Sequence, residues 1–309
     1  MVWSLRSGLL AVSICLLAAP VAAAGEGFVI SPAFQSVALQ SGQLSGDYVL
    51  QLSNRTAADQ NFKLTAVDFG SLDESGGVAF LGAPTSELEH RYGLAAWMGL
   101  GADKVYVARG QSVKIPVSIQ NRPSLAPGGH YGAILATAVS DTGATGGNDP
   151  RVSFTQVLSS LVLLTKGGGI NASIVVRSVV LDHTGMRLPG NVTLRFQNDG
   201  NVHLVPRGTV TITDPVGRVI RRGALNDGST AILPESFRKY PTPLTNISAA
   251  WLPGRYTVRT LYRYDGTDAT KRFDVSFWFA GLAVVWIVGL AGVAVIGLFA
   301  ARLWRRRHA

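Results

Sequence analysis

Cysteine is almost absent from this sequence of 309 residues, and the one cysteine, Cys15, lies near the amino terminus. Cys15 falls within residues 1–24, where a basic start is followed by an apolar run and then by small residues. Ala22 and Ala24 fit the cleavage pattern of a secretory signal peptide, which we predict for this segment, with an uncleaved signal anchor as the alternative. The mature chain then has no disulfide and no thiolate metal site.

The sequence also lacks the motifs of the common enzyme and metal sites. Histidine is rare, and His90, His130, His183 and His203 have no second ligand at helical or hairpin spacing. No phosphate-binding glycine loop, nucleophile elbow or His-Glu-x-x-His motif occurs. Carboxylate pairs such as 73–74 have no second catalytic group beside them. We therefore predict a non-enzymatic protein that needs no cofactor and no metal.

Charge is absent from the whole stretch between Val275 and Ala301. A helix that crosses a bilayer needs only about 20 apolar residues. Trp278 and Trp304 lie near the two ends, and four arginines follow in residues 302–309. An arginine cluster marks the cytoplasmic side of a span. This pattern predicts one transmembrane helix over residues 275–301, a basic cytoplasmic tail and a single-pass cell-membrane protein with its amino terminus outside.

The formal net charge of +9 is concentrated at the two ends of the chain. Five of the 28 basic residues lie in the signal peptide and the tail, and neither of these segments contains an acidic residue. The region between them therefore has 23 basic and 19 acidic residues, a net charge of +4. A weakly basic surface is compatible with anionic wall polymers but is not typical of a nucleic-acid-binding protein.

The region between Gly25 and Arg272 shows almost no helical periodicity. It has short alternating runs rich in Val, Ile, Thr, Tyr and Phe, separated by Gly, Pro, Asn and Asp. Three consecutive glycines, residues 167–169, form a natural hinge. The sequence thus predicts an all-β fold of two tandem immunoglobulin-like β-sandwich domains, residues 25–166 and 167–272, followed by the transmembrane helix.

The two halves can be aligned with each other. "GDYVLQLSN" and "GNVTLRFQN" are alternating strands that end in Asn54 and Asn198. Tyr131 and Tyr256 each follow a Pro-Gly turn and begin an alternating strand. A tyrosine in such a place can bury its ring while its hydroxyl bonds nearby backbone, as in a tyrosine corner.

The polar segment after Asn198 has two interpretations. Asn, Asp and Gly favour turns, and the equivalent segment after Asn54 has no ligand chemistry. A connecting turn is the favoured interpretation, and a β-branched residue in place of Gly200 should lower stability if the backbone there is left-handed. The alternative is a loop that contacts a partner. The candidate partner-binding residues are Asp199, Gly200, Asn201, His203 and, in "YGLAAWMGLG", Trp97, for which core packing is the alternative.

Four segments carry a resemblance to a known family: "FVISPAFQSVALQSGQLSGDYVLQLSNRTAADQNFKLTAVDF", "PGGHYGAI", "VTLRFQNDGNVHLVPRGTVTITDPVGRVI" and "LPGRYTVRTLYRY". In these patterns the sequence resembles the WxL-interacting protein family of Gram-positive cell surfaces. The resemblance implies a non-enzymatic scaffold, whose first domain contacts cell-wall peptidoglycan and whose second domain holds a secreted WxL-type surface protein.

Three functions therefore compete. The leading hypothesis is a membrane-anchored surface scaffold that binds peptidoglycan and a secreted protein. The alternative is a chaperone-like β-sandwich that caps a strand of a client during surface-structure assembly, by adding that strand to a sheet edge. An enzyme is the third, and no motif supports it.

Overall fold

A computed structural model describes residues 27–40, 42–139 and 156–307, with the backbone alone for residues 282–288 and for residue 307. The predicted signal peptide, residues 1–24, lies outside the described residues. The first ten strands are β1 (Phe28–Ser31), β2 (Phe34–Leu39), β3 (Ser45–Asn54), β4 (Gln60–Ser71), β5 (Val78–Gly82), β6 (Met98–Leu100), β7 (Lys104–Val107), β8 (Ser112–Gln120), β9 (Gly128–Val139) and β10 (Val157–Lys166). They are followed by β11 (Ile174–Leu181), β12 (Asn191–Asn198), β13 (Arg207–Thr213), β14 (Val219–Leu225), β15 (Phe237–Pro243), β16 (Thr245–Asn246), β17 (Gly254–Arg263), β18 (Lys271–Phe279) and the helix α1 (Leu282–Arg307).

The first ten strands form two sheets. Sheet A has the order β1-β3-β8-β6, and sheet B has the order β2-β10-β9-β4, with β5 and β7 both paired to β4. The pairs are antiparallel except that β2 runs parallel to β10. Leu50 and Leu52 of sheet A pack against Phe62 and Ile134 of sheet B, and all four are at most 1 % exposed. The two sheets therefore enclose the core of the first β-sandwich.

The last eight strands form a second β-sandwich. Sheet C has the order β11-β12-β15, and sheet D has the order β16-β14-β13-β17-β18. Leu194 and Phe196 of β12 pack with Ile212 and Val258 of sheet D in one buried cluster. The alternation expected for half-buried strands is clear in β12, where every second residue is buried.

The two sandwiches meet at the segment that contains the triple glycine. Strand β10 of the first sandwich ends at Lys166, and β11 of the second begins at Ile174. Residues 167–169 therefore lie in the connection between the two sandwiches. That the two segments, residues 25–166 and 167–272, fold as separate domains stays a prediction.

The predicted transmembrane helix over residues 275–301 is wrong. Val275 to Phe279 belong to β18, where Phe277 and Phe279 are buried and Trp278 between them is exposed. The run of uncharged residues thus spans two elements, since a hydropathy pattern does not separate an apolar strand end from a helix. The described side chains of α1 include Arg302, Arg305 and Arg306, and within the residues that the structure describes no helix is long and apolar enough to cross a membrane. The single-pass membrane localisation was predicted from the same run of residues, and this prediction is wrong as well.

Candidate functional site

Strand β10 has an open edge at its start. Its ten residues all pair with β9, whereas β2 pairs only from Leu161 onward. The Leu161 and Gly167 amides donate to Ala33 and Leu39, so odd-numbered residues direct their backbone groups away from β9. Val157 and Ser159 share that direction, because backbone groups alternate along a strand. Among the described residues, no strand pairs with these two positions on that side.

A cleft of about 580 Å³ lies beside this edge, between the two sandwiches. Its floor is the outer face of sheet B, which is apolar where an exposed sheet would be polar. Phe69, Tyr131 and Leu163 on this face are at most 5 % exposed, and Leu233 of the second sandwich packs against them. Phe34, at the margin, is 56 % exposed. The cleft therefore offers apolar surface close to backbone groups with which no described strand pairs.

The second sandwich contributes the polar wall of the cleft. The Arg238 guanidinium donates to the Ala231 carbonyl at 2.8 Å, and Arg207 pairs with Asp265 at 3.2 Å. The imidazole of His203 also lines the cleft, and burial lowers its pKa. The wall thus presents the Arg238 cation, the Arg207–Asp265 ion pair and, at neutral pH, the neutral imidazole of His203 to an occupant.

An ionic clamp fixes the two sandwiches relative to each other at one side of the cleft. The Glu74 carboxylate, in the β4–β5 turn, accepts hydrogen bonds from Arg195, the shortest being 2.6 Å, and pairs with Lys239 at 3.1 Å. These hydrogen bonds lower the pKa of Glu74 to about 2, and the bond from Arg195 has a larger effect than the bond from Lys239. A second contact joins Glu235 to Arg91 at 2.5 Å. The clamp consists of charge-assisted bonds, which are stronger than neutral ones.

The segment after Asn198 is a turn that this side chain holds in place. Asn198 is fully buried, its Nδ2 donates to the carbonyls of Val202 and Ile232, and its Oδ1 accepts from the Gly200 amide. Asn54 makes the equivalent bonds in the first sandwich, to Ala58 and to a residue of β7. The correspondence predicted for the two asparagines is present in their hydrogen bonds.

The predicted partner-binding residues lie in different surroundings. Asp199 pairs with Arg177 at 3.2 Å on the surface. Asn201 lies at the junction of the sandwiches, where its carbonyl accepts from the Gly129 amide at 2.7 Å. His203 Nδ1 is 3.4 Å from the Tyr131 hydroxyl, beside the cleft. Partner contact by Asp199, Gly200, Asn201 and His203 stays a prediction.

Gly200 does not meet the condition of a left-handed backbone. Its φ lies outside the positive region, and a Cβ at this position would overlap the Asn171 carbonyl oxygen and lie 2.9 Å from the Ser173 amide nitrogen. The residue is required by close approach of another chain segment, which sequence alone does not reveal.

Trp97 lies in the core and offers no exposed docking surface. It is 5 % exposed, packs with Leu125 and Val162, and its Nε1 donates to Ser124 at 3.3 Å. Of the two interpretations given for Trp97, core packing is the one that matches its surroundings.

The two matched tyrosines are both buried but use their hydroxyls differently. The Tyr256 hydroxyl donates to the Leu252 carbonyl at 2.8 Å, as expected for a tyrosine corner. The Tyr131 hydroxyl instead faces His203 of the other sandwich. Tyr131 therefore belongs to the junction between the sandwiches.

The chain was compared with known proteins. No family model matches it, and no curated protein matches. The similar solved structures include a complex of a chaperone and a tip adhesin of CFA/I fimbriae (11 % identity, 82 % of this chain and 99 % of that chain, TM-score 0.41). They also include the class 5 fimbriae chaperone CfaA (12 %, 83 % and 100 %, 0.40) and a Salmonella enterica complex of the SafA pilin with the SafB chaperone (11 %, 81 % and 97 %, 0.38). At these identities and TM-scores, similarity does not identify the function of this chain.

Sequence reasoning missed Val157, Ser159 and Arg238. The available signal was the alternation in "FTQVLSSLVLLT", which indicates a strand but not which of its edges stays unpaired.

Proposed function

We propose that this protein is a chaperone-like β-sandwich protein that holds an extended segment of a client polypeptide at the open edge of sheet B. This is the alternative weighed from the sequence. The observation that carries it is the pair of positions Val157 and Ser159, with which no described strand pairs on the side away from β9, close to Leu161, which lines the cleft. An exposed strand edge is a template for another strand, and natural proteins usually cover it unless it is used.

The cleft supplies what an edge alone lacks. In strand addition, backbone hydrogen bonds provide affinity, while pockets for alternate side chains provide specificity. Phe34 and Leu161 are register partners at the margin of the cleft, next to the unpaired part of β10. A client strand that pairs with Ser159 would place alternate side chains against this apolar surface. The partner is then a secreted polypeptide with an exposed alternating segment.

The test measures binding of a fluorescein-labelled ten-residue peptide of alternating valine and threonine to the full-length chain by fluorescence anisotropy. Ser159→Pro removes the outward amide at a strand edge, where proline is tolerated structurally. Ser276→Pro is the matched control. Its amide also faces outward, at the edge of β18, because Trp278 and Ala280 on the same side bond Gly185.

We expect Ser159→Pro to weaken peptide binding at least tenfold and Ser276→Pro to leave it unchanged. A peptide that is N-methylated at alternate amides should not bind, since it cannot pair with the edge. Equal binding by wild type and Ser159→Pro, with both folded by circular dichroism, would refute the proposed site.

A further inference from the structure

Arginine is concentrated on the outer face of sheet D. Val210 and Ile212 of β13, and Tyr256 and Val258 of β17, point into the core, so the residues between them face outward. Strand β14 adds Arg222, which is opposite Thr211 of β13. The outward arginines are Arg207, Arg222, Arg255, Arg259, Arg263 and Arg272.

Few carboxylates balance these cations. Asp274 lies between Arg272, with which it pairs, and Arg259, whose Nε is 3.5 Å away. Asp265 pairs with Arg207 at the margin of the face. Six arginines and two carboxylates leave four positive charges in excess. The arginines for which the described residues provide no ion pair are Arg222, Arg255 and Arg263.

The face has the composition of a protein-binding surface. Trp278 is 73 % exposed and Leu261 is 41 % exposed, and threonines lie between the arginines. Tryptophan and arginine are the residues most enriched at binding hot spots. From strand spacing and rise, the four strands, of seven to ten residues each, cover on the order of 500 Å², which is more than half of the roughly 800 Å² that each partner contributes to a standard interface.

We propose that this face binds an acidic surface of a protein partner. Each guanidinium group can bind a carboxylate through two parallel hydrogen bonds. Several arginines on one face, without ion pairs among the described residues, can therefore bind several carboxylates of a partner. The face borders a cavity of about 450 Å³ only at its margin, where Arg207 and Arg263 line it together with Asp265 and Asp268. It lies on the outer side of the second sandwich, and only Arg207 also borders the cleft. The inference therefore does not depend on strand addition at β10.

The experiment compares full-length proteins that have lost the same number of charges. The test variant is Arg222→Gln/Arg255→Gln/Arg263→Gln. The matched control removes three exposed cations from the first sandwich, Arg55→Gln/Lys63→Gln/Lys114→Gln. The probe is fluorescein-labelled poly-L-glutamate, and the competing probes are polygalacturonate, duplex DNA and vesicles that contain an anionic lipid. Circular dichroism and thermal melts establish that each variant is folded.

We expect the test variant to bind poly-L-glutamate about tenfold more weakly or worse, as three guanidinium–carboxylate contacts are lost. The control should bind like wild type, and added salt should weaken binding in both. An equal loss in the control would overturn the proposal, because net charge alone would then explain binding. Tighter binding of polygalacturonate, DNA or vesicles through the same arginines would also overturn it by assigning the face to another class of partner.

Discussion

Replacement of Asn198 by alanine tests whether one buried amide holds the second sandwich together at its cleft end. The side chain is fully buried, and its Nδ2 donates to the carbonyls of Val202 at 2.8 Å and Ile232 at 2.9 Å. Its Oδ1 accepts from the Gly200 amide at 2.9 Å. Alanine keeps the backbone bonds of residue 198 but removes all three side-chain bonds. The Val202 carbonyl and the Gly200 amide lose the Asn198 side chain as partner, whereas the Ile232 carbonyl still accepts from the Leu204 amide at 3.1 Å.

The magnitude follows from the number of bonds lost. A hydrogen bond contributes about 1 kcal/mol net, and a buried group left unpaired costs about 1 to 3 kcal/mol. Three lost bonds therefore predict destabilisation by about 3 kcal/mol, rising towards about 5 kcal/mol if no water reaches the carbonyls. An effect of this size is exceptional for a single substitution.

Urea unfolding of the full-length chain, followed by circular dichroism, measures this loss. Asn54→Ala removes the equivalent amide of the first sandwich and should destabilise that sandwich by a similar amount. Asn246→Ala, at an exposed position, should change stability by less than about 0.5 kcal/mol. A cost below about 1 kcal/mol for Asn198→Ala, with an unchanged slope against urea, would refute the assignment of a structural role to this amide.

Three further predictions follow from single positions. Gly200→Ala should destabilise the protein by about 1 to 3 kcal/mol because its methyl group overlaps backbone, whereas Gly228→Ala, whose methyl group would make only an ordinary contact with Thr230 at 3.9 Å, should be neutral in the same thermal melt. Tyr256→Phe should cost about 1 kcal/mol, while Tyr48→Phe should be neutral or stabilising, since the Tyr48 hydroxyl is buried with no partner among the described residues; a larger loss for Tyr48→Phe would contradict this. The lowered pKa of Glu74 means that its clamp contributes fully above pH 4.5 and is lost as the pH falls towards about 2, so the melting temperatures of wild type and Glu74→Gln should converge over that range, and a constant difference would contradict the clamp.

The alternating strands were accessible from sequence because burial repeats with the period of the strand. "YVLQLSN" and "VTLRFQN" identify β3 and β12, and their final residues, Asn54 and Asn198, take equivalent places. The turn after Asn198 was predictable for the same reason, since its residue types favour turns wherever they occur. Local patterns carry this information because the neighbours that matter are close in the chain.

The same local patterns misled at the carboxyl-terminal end and at Gly200. "VSFWF" is uncharged and apolar, but only its pairing with β17 makes residues 275–279 a strand. Gly200 fits a left-handed turn by type, yet its backbone is ordinary and its requirement comes from Asn171, 29 positions away by number. Contacts with distant segments decided both.

By itself the sequence determined the all-β class, the strand periodicity and the matched asparagines, because each depends on neighbouring residues. Only the tertiary structure decided which edges and faces stay uncovered. No described strand pairs with Ser159 on the side away from β9, because the pairing of β2 with β10 begins at Leu161. Arg222 joins Arg255 on one face because β14, β13 and β17 pair in that register. Such positions depend on the pairing of strands far apart in the chain, which no local pattern encodes.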